Sequence, residues 1–349
     1  MKESIIRSRA PLRISFGGGG TELSPYLEEY GGVTLSTTIT SHAYCTITIS
    51  EGTGIEIHSD WPRAKMSFSD IGKIKEEMPF IDSSLKIAAA CGAFFEKELE
   101  TLVHKRVEIK TSCDAQLGSG LGASSTLTVA CLNAFQSLFR KRMTRYQIAS
   151  TAFFIERKVL NLSGGRQDHY ASAFGGMNYV QYFKDGQVSV ERIDLSDSIS
   201  LELQSSLLMV YTGTSRASAD IIDSQQMAMF SNNDTIISNL HFVKKLASDM
   251  RFALLDGDIQ RFGSLLGESW DFKKATSAKI SNSNIDFLYS RAKELGAYGG
   301  KISGAGGGGF LLLVVPPEKR ISIYQSLSMS EPSWLNPSFS QKGVTNWSV

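Results

Sequence analysis

The sequence predicts an α+β protein that is built from two domains. Its 349 residues exceed what a single hydrophobic core usually organises, because chains beyond about 250–300 residues tend to divide into domains. Segments in which apolar residues alternate, as in strands, are mixed with segments that carry them at helical spacing. The composition becomes polar around residues 195–200, which predicts one domain over residues 1–195 and a second over residues 196–349.

Alternation of apolar and polar residues identifies the strands of the first domain. Segment 33–50 is the clearest case, because Thr, Ile and Val dominate it and these residues suit a half-exposed sheet. Residues 7–15 alternate and then meet a run of glycines, which predicts a strand that ends in a turn. The other predicted strands are 55–58, as an extension of the long segment, 107–111, and a hairpin of 180–182 and 188–190 through Asp185 and Gly186.

Apolar residues at helical spacing identify the helices. The stripe that follows Gly122 is formed by Leu127, Cys131, Ala134 and Phe135, which lie on one face of a helix. Two further helices are predicted in the first domain, at 85–100 and 144–160. The second domain is predicted to contain a strand at 207–211, helices at 236–255, 259–270 and 285–294, and a strand at 309–315.

The overall composition is that of an ordinary globular protein without a strong charge. There are 36 basic and 35 acidic residues, so the chain has no global charge to attract nucleic acid or an anionic membrane. No apolar core of a signal peptide and no run of 18 apolar residues occur, so we expect a cytoplasmic protein with no membrane partner. The four cysteines lack C-x-x-C spacing and the five histidines are scattered, which favours reduced thiols and argues against a structural zinc site.

The stretch AQLGSGLGASST, residues 115–126, is the strongest functional signal. A glycine-rich loop that leads into a helix presents backbone N–H groups and the positive end of the helix dipole, and phosphate suits both. The P-loop pattern is absent, and a G-x-G-x-x-G spacing that starts at Gly304 precedes a strand rather than a helix. We therefore predict a nucleotide triphosphate site, with these candidate residues: Gly118, Ser119, Gly120, Leu121, Gly122, Ala123, Ser124 and Ser125.

Three glycine-rich segments occur in a recognisable order. They cover residues 10–23, 115–126 and 301–310, and nearly the whole chain lies between the first and the last. In this order they resemble the GHMP kinases. Residues 13–26 (RISFGGGGTELSPY) and 165–176 (GRQDHYASAFGG) are most similar to the D-glycero-D-manno-heptose 7-phosphate kinases, and fucokinases are next. The resemblance implies a ribosomal-S5-like N-terminal domain, a ferredoxin-like C-terminal domain, and ATP and Mg²⁺ as cofactors.

The resemblance also implies a metal site. Ser124 aligns with the second serine of the family's G-L-G-S-S-A pattern, which makes it a candidate magnesium ligand. The first serine of that pattern is Ala123 here, and Ser125 stands where alanine is usual, so Ser124 alone or both serines could serve the metal and the phosphates. Glu156 corresponds to the magnesium-binding glutamate of the family. Its alternative is a charged residue beside Arg157 on a solvated helix face.

The implied catalytic pair is Asp168 with Arg13. Asp168, predicted in the loop beyond the helix of Glu156, corresponds to the aspartate that contacts the sugar hydroxyl, and it would orient or deprotonate that hydroxyl. Arg13 stands where many relatives carry Lys or Arg, and it can hold Asp168 ionised because an opposite charge favours the charged carboxylate. The alternative for Asp168 is a turn or N-cap residue after Gly164 and Gly165.

The sugar pocket is expected at the first motif. Its glycine-rich backbone lets a substrate approach closely, and Thr21 and Glu22 can bind sugar hydroxyls, although most relatives have Asp at the position of Glu22. Arg166 is a candidate contact for a second phosphate on the substrate, or alternatively a surface arginine. The third motif either contacts the ligands or forms a tight turn before its strand. The candidate substrate-binding residues are Gly18, Gly19, Gly20, Thr21, Glu22, Arg166, Gly304 and Gly306.

These features together predict an ATP-dependent sugar kinase. The expected reaction is phosphorylation of the anomeric hydroxyl of a heptose 7-phosphate to the 1,7-bisphosphate. The alternatives are another anomeric sugar kinase, such as a fucokinase, or a catalytically inactive sugar sensor of the same fold. The expected partners are a small sugar phosphate and ATP, and a homodimer stays open. The sugar-type first motif argues against a GHMP decarboxylase, and the joint presence of Arg13, Ser124, Glu156 and Asp168 argues against the sensor.

Overall fold

The fold contains two β-sheets with helices packed against them. The computed structural model describes residues 4–60, 62–115, 118–213, 218–230, 234–327, 334–335 and 337–349. The first sheet consists of β1 (Ser4–Gly17), β2 (Gly32–Glu51), β3 (Ile55–Asp60), β4 (Arg63–Phe68), β5 (Lys105–Cys113), β6 (Met177–Tyr182), β7 (Val188–Arg192) and β12 (Thr345–Ser348). The second consists of β8 (Leu207–Tyr211), β9 (Gly299–Ile302), β10 (Phe310–Val314) and β11 (Trp334–Leu335).

The strands of the first sheet follow the order β12-β1-β2-β5-β3-β4, and β6 pairs with β2 and then with β7. The long segment predicted at 33–50 is one unbroken strand, β2, which pairs with β1, β5 and β6 along its length. The segment at 55–58 does not extend β2. It forms β3, which runs parallel to β5 and antiparallel to β4, a strand that the sequence did not indicate. The second sheet is antiparallel in the order β11-β8-β10-β9.

The helices are distributed between the two sheets. Those of the first part are α1 (Tyr26–Tyr30), α2 (Ile71–Glu77), α3 (Lys86–Phe94), α4 (Glu96–Glu100), α5 (Ala123–Leu138), α6 (Arg145–Phe154) and α7 (Gln167–Phe174). Those of the second part are α8 (Asp197–Ser206), α9 (Ser218–Phe230), α10 (Asp234–Leu255), α11 (Ile259–Lys274), α12 (Ser283–Glu294) and α13 (Arg320–Leu327). Within the described ranges, no helix has an apolar stretch long enough to cross a bilayer.

Several helices differ from the expectation. The segment 85–100 divides at Phe95 into α3 and α4. The segment 144–160 begins as predicted, where the Thr144 side chain caps α6 in a capping box with Gln147, but it ends in a π-helical turn, Ile155–Val159. Helix α7 was not predicted because its buried face is made largely of small and polar residues, so no apolar periodicity marks it.

An apolar core joins the two sheets. Leu12, Ile14 and Phe16 of β1 pack in one cluster with Phe262 and Leu266 of α11. The rings of Phe16 and Phe262 meet edge to face at 5.2 Å, a type of contact that adds about 0.5–1.5 kcal/mol beyond its buried area. This packing fixes α11 against the first glycine motif. The boundary near residue 195 remains a prediction, and the last strand, β12, returns to pair with β1 in the first sheet.

Candidate active site

A cavity of about 260 Å³ lies where the phosphate loop, the first glycine motif, the start of α7 and the end of α11 meet. Most of the residues that the sequence singled out line it. The lining contributed by these motifs consists of Gly19, Gly20, Glu22, Gly118, Ser119, Gly120, Gly122, Ala123, Ser124, Ser125, Asp168 and Gly304, together with Arg13. The structure therefore brings three distant glycine-rich segments to one cavity.

Arg13 and Asp168 form an ion pair at this cavity. The Arg13 Nε donates to Asp168 Oδ1 at 2.7 Å, and the Arg13 Nη2 lies 2.6 Å from the same oxygen. The Arg13 Nη1 donates to the carbonyl oxygen of Gly120 at 2.5 Å, so one guanidinium ties the phosphate loop to the carboxylate. Asp168 keeps 23% of its side chain exposed while Arg13 keeps 5%, so the carboxylate is the member that a ligand can reach.

The phosphate loop needs glycine at alternate positions. Gly118, Gly120 and Gly122 all have φ near +80°, a backbone conformation that L side chains rarely adopt. A Cβ atom on Gly122 would lie 3.0 Å from the carboxyl carbon of Asp168, so the loop passes directly against the carboxylate. Gly122 is also the N-cap of α5, which places the positive end of that helix at the cavity. The buried Ser119 Oγ has no hydrogen-bond partner among the described residues.

Glu156 lies on the π-helical turn and is completely buried. Its Oε1 accepts hydrogen bonds from Ser124 Oγ at 2.6 Å and Thr128 Oγ1 at 3.0 Å. Its Oε2 accepts from Ser125 Oγ at 2.6 Å and lies 2.7 Å from His169 Nε2 and 3.3 Å from the Arg157 Nη2.

Burial would raise the pKa of Glu156, but the His169 ring, the Arg157 guanidinium and the Ser124 hydroxyl outweigh it and hold the pKa below its usual range. The alternative of a solvated helix face is therefore wrong, because the side chain is enclosed.

Magnesium fits Ser124 better than it fits Glu156 in this arrangement. The Ser124 hydroxyl donates a hydrogen bond to Glu156, so the lone pairs of the Ser124 oxygen are available at the cavity wall. The carboxylate of Glu156 has about four acceptor positions and already faces five donor groups. As it stands, Glu156 orients the serines, and it could contact an ion directly only if one donor moved away.

The first glycine motif divides into lining and supporting residues. Gly19, Gly20 and Glu22 line the cavity. The Glu22 Oε2 accepts a hydrogen bond of 2.7 Å from the Gly20 N–H. Burial raises the pKa of Glu22, although the Gly20 hydrogen bond and the charge of Lys273 partly lower it. Thr21, by contrast, is fully buried.

Gly18 and Thr21 are corrections to the predicted substrate contacts. The Thr21 Oγ1 lies 2.7 Å from the Gly18 carbonyl oxygen and 2.9 Å from the Val33 carbonyl oxygen, which share its one proton, and it accepts from the Val33 N–H. A Cβ on Gly18 would lie 2.0 Å from the Val33 oxygen. Both residues hold the motif against β2 instead of lining the cavity.

The third glycine motif packs against the phosphate loop. A Cβ on Gly304 would lie 3.0 Å from Gly120, and the Ser303 Oγ donates to the Gly120 carbonyl oxygen at 3.0 Å. Gly304 lines the cavity. Gly306 does not, because it lies against Ile280, where a Cβ would come within 2.7 Å of the backbone oxygen. Leu121 of the phosphate loop is likewise a buried core residue and not a lining residue.

Arg166 lies outside the cavity, contrary to the sequence-based expectation. Its guanidinium stacks over the Phe153 ring at 4.7 Å and donates to the Gly186 carbonyl oxygen at 3.3 Å. Arg166 and Asp168 are two residues apart at the start of a helix, and side chains at that spacing point to different faces. The guanidinium is therefore turned away from the carboxylate's side of the helix.

The sequence interpretation missed several lining residues, of which Gln167 and Lys273 contribute the polar groups nearest the first glycine motif. The Gln167 Nε2 donates to Ser15 Oγ at 2.6 Å, and the Ser15 hydroxyl donates to Gln167 Oε1 at 3.2 Å. These bonds hold the Gln167 side chain at the cavity wall beside Asp168. Lys273, from the last turn of α11, is 4% exposed and donates to the Gly304 carbonyl oxygen at 2.9 Å. Burial lowers the pKa of Lys273 to about 8; the Glu22 charge opposes that shift and the Arg13 charge adds to it. A lysine at a helix C-terminus is common, so no sequence signal distinguished it.

Comparison with known proteins shows the family to which the chain belongs. Residues 85–176 match the GHMP kinases N terminal domain and residues 250–329 match the GHMP kinases C terminal domain. The chain belongs to the GHMP kinase family, and it is a phosphotransferase that uses an alcohol group as acceptor. The predicted two-domain α+β fold and the predicted family are thus confirmed.

Individual relatives are more specific. The chain is 31% identical to the D-glycero-alpha-D-manno-heptose 7-phosphate kinase of Campylobacter jejuni, over 99% of each chain. It matches the crystal structure of a D-glycero-D-manno-heptose 1-phosphate kinase from Bacteroides thetaiotaomicron with a TM-score of 0.80 and 32% identity over 98% of both chains. It is 25% identical, over 85% of its length, to the bifunctional fucokinase/GDP-fucose pyrophosphorylase of Arabidopsis thaliana, of which it covers 28%.

Proposed function

We propose that this protein is an ATP-dependent kinase that phosphorylates the anomeric hydroxyl of D-glycero-D-manno-heptose 7-phosphate to the 1,7-bisphosphate. The observation that carries the proposal is the Arg13–Asp168 pair, which faces the cavity directly against the phosphate loop. The relative that is 31% identical over its full length supports the choice of a heptose phosphate.

The chain's own groups account for the two halves of phosphoryl transfer. The backbone N–H groups of the phosphate loop and the N-terminus of α5 would hold the nucleotide phosphates. Asp168 would accept the proton of the anomeric hydroxyl while the anomeric oxygen of the sugar bonds to the γ-phosphorus and the bond between that phosphorus and ADP breaks. Arg13 holds the Asp168 carboxylate in place, and its hydrogen bond to the Gly120 carbonyl oxygen fixes the position of the phosphate loop relative to that carboxylate.

Magnesium would neutralise charge on the phosphates when it is bound. Ser124 is the residue that would hold it, with Glu156 behind Ser124 and Ser125 to fix their orientation. The cytoplasm as location and a homodimer as assembly remain predictions from the sequence.

An ADP-release assay on a panel of sugars tests the proposed function. The panel contains heptose 7-phosphate, heptose 1-phosphate, free heptose, fucose and galactose, each with ATP and Mg²⁺. We expect the highest kcat/KM with heptose 7-phosphate. A higher kcat/KM with heptose 1-phosphate or with an unphosphorylated sugar would contradict the proposal.

A further inference from the structure

The charges around the cavity are not all compensated by the protein. Among the residues that the structure describes, three cationic side chains line it: Arg13, Arg157 and Lys273. Arg13 pairs with Asp168, and Arg157 lies 3.3 Å from Glu156. Lys273 has no carboxylate within 4.0 Å among the residues that the structure describes, and the hydrogen bond found for its Nζ goes to the Gly304 carbonyl. An ammonium group has three donors, so two remain for a ligand.

The ammonium group of Lys273 lies beside the first glycine motif. A Cβ on Gly19 would be 3.6 Å from the Lys273 Nζ and 3.8 Å from the Gln167 Oε1. Gln167 immediately precedes Asp168, and both Gly19 and Gln167 line the cavity. Lys273 thus lies on the acceptor side, whereas the hydroxyls of Ser119, Ser124 and Ser125 and the phosphate loop line the nucleotide side.

A second buried lysine lies near Lys273, and burial lowers its pKa well below the usual range, so its ammonium form is costly in the absence of an anion. Lys301 is 3% exposed, and its Nζ donates to the Phe16 carbonyl oxygen at 3.3 Å, with no ion pair found in the described part of the chain. Glu22 is the nearby carboxylate, but it lies beyond ion-pair distance of Lys273 and is itself bonded to Gly20. Buried ammonium groups without a close counter-charge are costly, and an anionic ligand would compensate them.

We propose that Lys273 binds the phosphate group that the sugar already carries, and so makes the cavity select a sugar phosphate over the free sugar. This inference rests on the proposed function, since it assigns a residue to the second phosphate of that substrate. It replaces Arg166 in that role, because Arg166 is stacked on Phe153 outside the cavity.

The test compares Lys273→Met with the neighbouring control Lys274→Met. Methionine keeps a similar length without the charge. Lys274 is more exposed and pairs with Asp271 at 3.0 Å, so its loss should leave the cavity unchanged. Steady-state kinetics are measured with heptose 7-phosphate and with free heptose, and binding of heptose 7-phosphate without ATP is measured by calorimetry.

For Lys273→Met we expect the KM for heptose 7-phosphate to rise by about 10- to 100-fold, the range for losing a hydrogen bond to a charged group. The KM for ATP and the kcat/KM for free heptose should change less than threefold. Calorimetry should show weakened binding of heptose 7-phosphate and unchanged binding of ATP. Retained ATP binding also shows that the variant is folded, and Lys273→Gln replaces it in all assays if it is not.

Three outcomes would overturn the inference. Equal losses with both sugars would mean that Lys273 contacts a hydroxyl and not the phosphate. A lower kcat or a higher KM for ATP, with the KM for the sugar phosphate unchanged, would place Lys273 on the transferred phosphoryl group. No change at all would leave it without a ligand. If instead the wild-type enzyme prefers free heptose, the proposed function itself fails, whatever the variant does.

Discussion

Asp168→Asn is the substitution that examines the proposed chemistry most closely. Asparagine keeps the shape of the side chain and an oxygen acceptor for Arg13, whose Nε donates to Asp168 Oδ1 at 2.7 Å and whose Nη2 lies 2.6 Å from the same oxygen. It removes the negative charge and the ability to take a proton. Loss of a general base reduces turnover by about 10²–10⁴-fold, or about 2.7–5.4 kcal/mol at 1.36 kcal/mol per tenfold.

The same substitution should affect nucleotide binding little. Asp168 contacts the phosphate loop through packing against Gly122 and through Arg13, which keeps its hydrogen bond to Gly120 in the variant. We therefore expect kcat to fall at least about 100-fold, while the affinity for ATP, measured by calorimetry, stays within threefold.

Asp194→Asn is the matched control for charge removal. Asp194 is also paired with an arginine, Arg192 at 2.9 Å, but 81% of its side chain is exposed and it lies away from the cavity. Its turnover should match the wild type. If Asp168→Asn retained turnover within threefold of the wild type, the role of Asp168 as proton acceptor would be refuted.

Three other changes examine the rest of the site. Ser124→Ala and Glu156→Gln should each raise the Mg²⁺ concentration needed for half-maximal activity. Because both residues act through one metal site, the free energy of Mg²⁺ binding lost in the double variant should be smaller than the sum of the two single losses. Additive losses in magnesium titrations would argue against a shared site. Gly122→Ala should lose about 1–2 kcal/mol of stability, because the φ of +78° at this position is unfavourable for alanine. Its kcat should also fall at least about tenfold, because the new Cβ would lie 3.0 Å from Asp168 and displace the carboxylate. Gly186 has a φ of +84°, and no atom of the described residues lies within 4 Å of the Cβ that alanine would add, so Gly186→Ala should lose stability in thermal melts but keep its kcat. Equal kcat values for the two variants would refute the effect of the Gly122 contact on Asp168. The KM for heptose 7-phosphate should rise as the pH increases through the Lys273 pKa of about 8, because the ammonium form that binds the phosphate is lost above that pH. A KM that stays constant from about pH 7 to about pH 9.5 would contradict this role of Lys273.

Much of the candidate active site could be predicted because short motifs fix its local conformation. The alternating glycines at 118, 120 and 122 adopt the positive φ angles that only glycine tolerates well, so the positions of these glycines predict the conformation of the loop. Arg13 and Asp168 stand 155 positions apart, yet each was marked by the motif around it, and they meet at 2.6 Å.

Lys273 could not be predicted because its position depends on how the two halves of the chain pack. Nothing in the sequence around it differs from an ordinary helix C-terminus. Its ammonium group reaches the cavity because Phe262 on the same helix packs against Phe16 of β1. Contacts between distant segments of this kind carry no local periodicity or spacing that a single sequence displays.

Arg166 and helix α7 illustrate a second limit. The sequence predicts a loop after Gly165, where no apolar stripe marks a helix, but the segment folds as a helix whose buried face consists largely of polar and small residues. In a loop, a residue two positions before Asp168 could share its pocket. On a helix it cannot, since the two side chains project in different directions.

Identification of the product by NMR tests the central proposal most directly. The purified protein is incubated with heptose 7-phosphate, ATP and Mg²⁺, and the new phosphorus signal is correlated with the protons of the sugar. The account predicts a 1,7-bisphosphate in which the new phosphorus couples to the anomeric proton. A new phosphate on any other carbon, or no product from heptose 7-phosphate while another sugar is phosphorylated, would contradict it.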